Sequence, residues 1–333
     1  MNTVGIIGHT RQLKFLDLLK RNGTIPHTML FSGKSGIGKK LVARRFIASL
    51  FCGSEEPPCL RCPTCIHAMN MTFPDMIELY PDEKGTIPIG DTDRSEPGTV
   101  RWLIDRLSKK SVSGTYGVLI NGAETISTGG QNALLKTIEE PQAGAHIIIL
   151  TENKSLILPT ILSRCMNLAF NPLNAAEVKQ VLVAAGAGAA DPDLISELSG
   201  GSVETALLLS RENMLSCIAG ICHEITSYLS LNQSMRLDLA ALQKKISMDQ
   251  LLSILLNAYR SILSSSISGG QLHPFLADFI IQDRKKIIKL IKILLALRKG
   301  LKNNLNIRSA LKGMLYSIED IGDFGLPKLD AGE

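Results

Sequence analysis

The stretch Met29-Leu30-Phe31-Ser32-Gly33-Lys34-Ser35-Gly36-Ile37-Gly38-Lys39-Lys40-Leu41-Val42-Ala43-Arg44-Arg45-Phe46 reads as an apolar strand, a glycine-rich loop and an amphipathic helix in unbroken succession. Glycines at 33, 36 and 38 let successive backbone N–H groups turn into one concavity. The helix that follows adds its positive end, and Lys39 adds a charge that reaches a phosphate. Gly33, Gly36, Gly38 and Lys39 are therefore the candidate nucleotide-binding residues, and the helix is expected to bury Leu41, Val42, Phe46 and Ile47. The eighth position of the loop departs from the pattern. A magnesium-dependent nucleotide hydrolase needs a Ser or Thr hydroxyl there for the metal, and this chain has Lys40. The phosphate nest is kept without its metal ligand, which leaves nucleotide binding open.

At 333 residues and 45% hydrophobic content the chain is long enough for two or three cores. No run of about 18 uninterrupted apolar residues occurs, and Met1 to Asp17 lacks the order of a signal peptide, so a cytoplasmic protein is expected. The net charge of +5 permits contact with nucleic acid without requiring it. Four of the seven cysteines cluster at Cys52, Cys59, Cys62 and Cys65. Two-residue gaps let the last three thiolates converge from one turn, and Cys52 closes a tetrahedron from the end of the preceding helix. Zinc is the expected occupant. Four protein ligands leave no open position for water, so the site is expected to be structural. A nucleic-acid-binding zinc module would carry basic and aromatic residues between its ligands, and only Arg61 is of that kind.

Taken in order, Leu13, Leu16 and Leu19 predict a helix within Ile6 to Asn22, and Asp75 to Leu79 a short strand. The segment 81–97 reads as a long exposed loop, with helices over Val100 to Leu107 and Thr128 to Glu139 and buried strands over Gly117 to Ile120 and His146 to Leu150. Strands alternating with helices imply a parallel sheet covered on both faces. Asn174 with Glu177 three residues on resembles a capping box, and two short helices follow over Asp193 to Leu198 and Val203 to Leu209. Beyond Arg211 every periodic segment is helical. The clearest sets Ile287, Leu290, Ile291, Leu294 and Leu295 against Lys285, Lys286, Lys289 and Lys292, a lysine face read as solvated.

In a nucleotide hydrolase of this kind the strand 117–120 should end in an Asp that holds magnesium and a Glu that positions water. Asn121 and Gly122 stand there instead, with Glu124 two residues further on.

Two segments carry a family resemblance: Asn132-Ala133-Leu134-Leu135-Lys136-Thr137-Ile138-Glu139-Glu140-Pro141, and Leu158-Pro159-Thr160-Ile161-Leu162-Ser163-Arg164-Cys165. With the cysteine knuckle, they resemble the bacterial DNA polymerase III clamp-loader subunits of the AAA+ class over about residues 5 to 210. The resemblance implies an α/β AAA+ fold, a RecA-like parallel sheet with helices on both faces, in residues 1–168, with the zinc knuckle at 52–65. It implies a small helical lid domain at 169–210 and an all-helical C-terminal oligomerisation domain, or collar, at 211–333. In such proteins the arginine of Ser-Arg-Cys reaches into a neighbour's ATP site, which makes Arg164 the candidate finger acting in trans. Motor subunits of the group carry a further arginine near Gly201-Ser202, where this chain has Glu204. Lys40, Asn121, Gly122 and Glu204 together imply a member that does not hydrolyse ATP, the alternative being an active gamma/tau-like motor. The partners implied are gamma/tau- and delta-type subunits in a hetero-pentamer, with the sliding clamp and primed DNA reached through the complex, and no membrane.

Overall fold

The computed structural model describes residues 5–91, 96–188, 191–231 and 246–300. Parts of the expected exposed loop (92–95) and of the expected C-terminal domain (232–245 and 301–333) lie outside the described residues. The chain divides into two compact units, Met1–Leu173 and Asn174–Glu333.

In the first unit α1 (Thr10–Arg21) buries Leu13, Leu16 and Leu19, the stripe that the spacing predicts. Five strands follow: β1 (Thr28–Ser32), β2 (Met76–Leu79), β3 (Tyr116–Asn121), β4 (Ala145–Thr151) and β5 (Met166–Ala169). They form one sheet in the order β2-β3-β4-β1-β5, with every pairing parallel. All five residues of β1 are buried, as expected of a strand flanked on both sides and covered on both faces. The register sets Leu30 opposite Ile149 and Val118 opposite Ile147. Leu30, Ile77, Val118, Ile120, Ile147 and Ile149 share a core with α4 (Val100–Ser108) and α5 (Thr128–Glu139). The opposite face takes α2 (Lys39–Phe51). A Cβ at Gly117 would lie 2.4 Å from Ile47 Cγ2 of that helix, so only glycine allows this approach.

Two local expectations are corrected, and three elements stand where the sequence reading assigned none. Segment 81–97 is not wholly exposed: Ile87 is buried and bridges in parallel to Ile126. Ile89 lies against α5, where a Cβ at Gly129 would be 3.3 Å from it. Leu41 is 39% exposed and Leu295 42% exposed. Neither belongs to a buried stripe, because each helix turns its core face one position away from it. The segment after Pro159 holds a short helix, α6 (Pro159–Leu162), and the edge strand β5, whose half-exposed residues give no continuous apolar run. Finally, the knuckle runs into a helix, α3 (Pro63–Met69).

The second unit is helical in all its described elements: α7 (Ala175–Ala184), α8 (Pro192–Ser199), α9 (Val203–Leu209), α10 (Met214–Leu231), α11 (Met248–Ser268), α12 (Pro274–Ala277) and α13 (Arg284–Gly300). The capping box at Asn174 and Glu177 is present in both directions, at 2.8 and 2.9 Å. In α13 the buried stripe is Ile287, Leu290, Ile293, Leu294 and Leu297, and Arg298 grips Asp249 of α11 through Nε at 2.7 Å and Nη2 at 3.3 Å.

Candidate functional site

The glycine loop leaves the C-terminal end of β1 and runs into α2. Gly33 has φ 152°, and a Cβ there would lie 2.3 Å from the Phe170 carbonyl oxygen, so the loop passes too close to the end of β5 for any side chain. Gly36 (φ 69°) and Gly38 (φ 101°) take left-handed conformations that glycine adopts without strain. Lys39 is buried, and its ammonium donates to the carbonyls of Gly33 at 2.6 Å and Lys34 at 2.7 Å. Burial holds its pKa below the usual lysine value, while the carboxylates of Glu152 and Glu124 pull the other way. The four candidate nucleotide residues are thus brought together around one loop.

The sequence reading missed two residues of this region. His9, in a left-handed conformation at the start of α1, holds the Ile37 carbonyl through Nε2 at 2.7 Å, and its ring meets Phe170 edge-on at 5.0 Å. Nothing in its sequence neighbourhood announces this. Glu152 directly follows β4, and its N–H donates to Glu124 Oε1 at 3.1 Å. Its place at a strand end beside the loop is the signal available in sequence.

Lys40 turns away from the loop. Its Nζ lies 2.6 Å from Glu78 Oε1 on β2, and Arg44 Nη2 lies 2.5 Å from Glu78 Oε2. Asn121 ends β3 opposite Leu150, and Gly122 follows with φ 79°, donating its N–H to Leu150 O at 3.2 Å. Glu204 stands in the second unit, in the first turn of α9, where it accepts from Gln250 Nε2 at 3.0 Å.

The four knuckle sulfurs lie within 4.8 Å of one another, with Cys59 Sγ 3.9 Å from Cys65 Sγ. A tetrahedron with Zn–S near 2.3 Å requires sulfurs about 3.8 Å apart. Each of three thiols also receives a backbone N–H: Cys59 N to Cys52 Sγ at 3.4 Å, Cys62 N to Cys59 Sγ at 3.4 Å, and Cys65 N to Cys62 Sγ at 3.3 Å. Burial opposes ionisation of Cys52, but bonds from Ser54 and the Cys59 N–H outweigh it and bring its pKa down to about 6. Burial pushes Cys65 up to about 12. The donor set fits a structural zinc ion.

Arg164 follows α6 and is partly exposed. Its Nε pairs with Glu139 Oε1 at 2.7 Å, and its Nη1 donates to Thr160 O at 3.0 Å and Ser163 Oγ at 3.3 Å.

A parallel sheet in the order β2-β3-β4-β1-β5, with a phosphate loop at the end of β1 and a helical unit after it, defines a P-loop protein of the AAA+ class. A family model described as DNA polymerase III, delta subunit, matches residues 8–174. That is half of the chain, and the chain belongs to this family. It is 23% identical over 328 residues to DNA polymerase III subunit delta' of Bacillus subtilis, covering 93% of this chain and 96% of that one. It is 31% identical over 201 residues to subunit tau/gamma of Haemophilus influenzae, covering 58% of this chain and 28% of that one. The chain spans less than half the length of the tau and gamma subunits it matches. A solved structure of a gamma subunit-related protein from Thermotoga maritima superposes with a TM-score of 0.45 at 16% identity, over 91% of this chain and 98% of that one. Among the described residues no helix is long and apolar enough to cross a membrane.

Proposed function

We propose that this chain is a delta-prime-type subunit of the DNA polymerase III clamp loader that turns over no ATP itself and lends Arg164 to ATP held by a neighbouring subunit. It would act with gamma/tau- and delta-type partners in loading the sliding clamp onto primed DNA. The observation that carries the reading is the ion pair of Lys40 with Glu78. The residue at the metal position of the loop is spent on β2, while a partly exposed arginine follows α6. Asn121 offers a neutral amide where a hard divalent cation calls for an anionic oxygen. Gly122, in a left-handed turn, offers no side chain at all. The intact nest around Lys39 supports binding of a nucleotide phosphate without turnover. It also supports the second reading, an active motor, in which Glu124 and Glu152 beside Lys39 take over the acidic role.

The cysteine knuckle is read as a structural zinc centre, with Cys52, Cys59, Cys62 and Cys65 as ligands that join the end of α2 to the start of α3.

Steady-state ATP turnover separates the two readings. The isolated chain is expected at background, and the reconstituted complex is expected to lose turnover at one site when Arg164→Ala replaces the wild type. Turnover by the isolated chain that Lys39→Ala abolishes would establish the motor instead.

A further inference from the structure

Arg164 follows a short helix whose start has a proline in its first turn but no side-chain cap. The helix α6 is four residues long, its N-cap is Leu158, and no side chain caps it. A helix this short has little intrinsic stability and takes its direction from what surrounds it. The anchor comes from α5. Gln131 is 4% exposed, and its carboxamide bonds three backbone groups. Its Nε2 donates to Ile126 O at 3.0 Å and to Leu156 O at 2.9 Å, and its Oε1 accepts the Leu158 N–H at 2.8 Å. One side chain therefore joins the turn that follows Asn121 and Gly122 to the two residues on either side of Ile157, directly before α6.

The surroundings give these bonds their weight. Gln131 faces a small pocket whose other lining residues, among them Ile126, Leu134, Ile149, Ile157 and Ile161, are apolar. No neighbour among them offers a replacement donor or acceptor, so removing the amide leaves two carbonyls and one N–H unpaired in a buried apolar setting. The relief to be expected is a shift of the segment 156–158, which leads into α6 and so to Arg164. At its other end α5 holds the same guanidinium through Glu139. The helix α5 thus touches both the segment that leads into α6 and the guanidinium that follows it.

We infer that Gln131 is a positioning residue for Arg164, setting the direction in which the guanidinium leaves the subunit. The inference rests on the reading of Arg164 as an arginine finger. It adds that the aim of the finger is fixed from α5, beside the corner where the acidic pair of a motor subunit would stand.

The test uses Gln131→Met, which keeps length and volume but not the amide, in the full reconstituted complex. The maximal clamp-loading rate is expected to fall by about tenfold to a hundredfold, the scale of a misplacement near 1 Å. The ATP concentration at half-maximal rate should stay within about twofold. On an Arg164→Ala background Gln131→Met should add no further loss, because both changes remove one interaction. Amide exchange at Leu158 should quicken while that of Ile147, in β4, stays unchanged. A wild-type loading rate overturns the inference, as does a loss that multiplies with Arg164→Ala or follows failed assembly. An unchanged rate for Arg164→Ala alone overturns the finger reading itself, a result distinct from a silent Gln131→Met. Where Gln131→Met does not fold, Gln131→Glu, which keeps the acceptor for Leu158 N–H and repels the two carbonyls, is judged by the same outcomes.

Discussion

Lys40 Nζ and Glu78 Oε1 lie 2.6 Å apart, joining the second residue of α2 to the edge strand β2. Glu78 is 8% exposed and is shared with Arg44, so its negative charge is balanced by two cations from one helix face. The lysine holds that carboxylate and supplies no ligand to the phosphate loop.

The first prediction follows from that pair. Lys40→Thr restores the missing hydroxyl but should leave ATP turnover of the isolated chain at background, because Asn121 and Gly122 remain. Restoring the acid at 122 meets an obstacle, since Gly122 has φ 79° and a Cβ there would lie 3.2 Å from Pro81 Cγ. The stability cost of Lys40→Thr should stay below about 1 kcal/mol, because Lys40 is 42% exposed and Arg44 still serves Glu78. Denaturant melts and a coupled ATPase assay check both parts; turnover appearing in Lys40→Thr alone would show that Glu124 or Glu152 already supplies the acid.

The second concerns metal. Elemental analysis of the purified chain should return about one equivalent of zinc, in sites that for small zinc modules bind with roughly 10 kcal/mol or more. Chelation should quicken amide exchange across 52–69 and leave β1 and β4 protected, since the sheet core makes no use of the knuckle sulfurs. Cys65→Ser should do the same without chelator. A metal-free preparation with an unchanged exchange pattern at Cys59, Cys62 and Cys65 would refute the assignment.

The third uses a buried carboxylate. Asp75, fully buried just before β2, accepts from Val112 N at 3.1 Å, Ser113 N at 2.6 Å and Ser113 Oγ at 2.7 Å. Burial opposes its ionisation, but these bonds and the nearby Arg106 outweigh it and hold its pKa below the ordinary value of 3.8. A folded-state pKa lower than the unfolded one contributes stability that is present above the unfolded value and lost as pH falls through the folded one. Asp75→Asn should therefore destabilise by about 1–3 kcal/mol at neutral pH. The gap to wild type should close as pH drops below about 4, as urea melts at stepped pH would show; a gap that stays constant into acid would contradict it.

Much of this architecture is legible in sequence because its causes are local. The loop from Gly33 to Lys40, the helix Thr128–Glu139 and the Asn174–Glu177 capping box each follow from residues a few positions apart. What escaped depends on partners distant in the chain. The fate of Lys40 is set by Glu78, the place of His9 by Ile37 and Phe170, and the task of Gln131 by Leu156 and Leu158. The strand β5 escaped for another reason: at the sheet edge its residues alternate between half-buried and exposed, which weakens the apolar signal.

The last prediction weighs Arg164 against Glu139. In the isolated subunit their side chains are 41% and 42% exposed and lie 2.7 Å apart. Exposed ion pairs of this kind contribute about 0–1 kcal/mol, so opening this one to reach a neighbour's phosphate costs little. On the proposed finger role the gain is far larger, since removing an arginine finger lowers rates by about 10³- to 10⁵-fold at the site it serves. Glu139→Gln should thus leave the melting temperature nearly unchanged and keep clamp loading close to wild type, because the guanidinium is released rather than lost. Arg164→Lys should fail almost as completely as Arg164→Ala, because a single ammonium lacks the planar fork that engages two oxygens. Neither change should disturb assembly, since Arg164 is bonded only to Glu139, Thr160 and Ser163 among the described residues. Loading rates in the reconstituted complex for the three variants decide the matter: wild-type activity in Arg164→Lys would reduce the finger to a generic positive charge, and a collapse in Glu139→Gln would make the ion pair itself the functional unit.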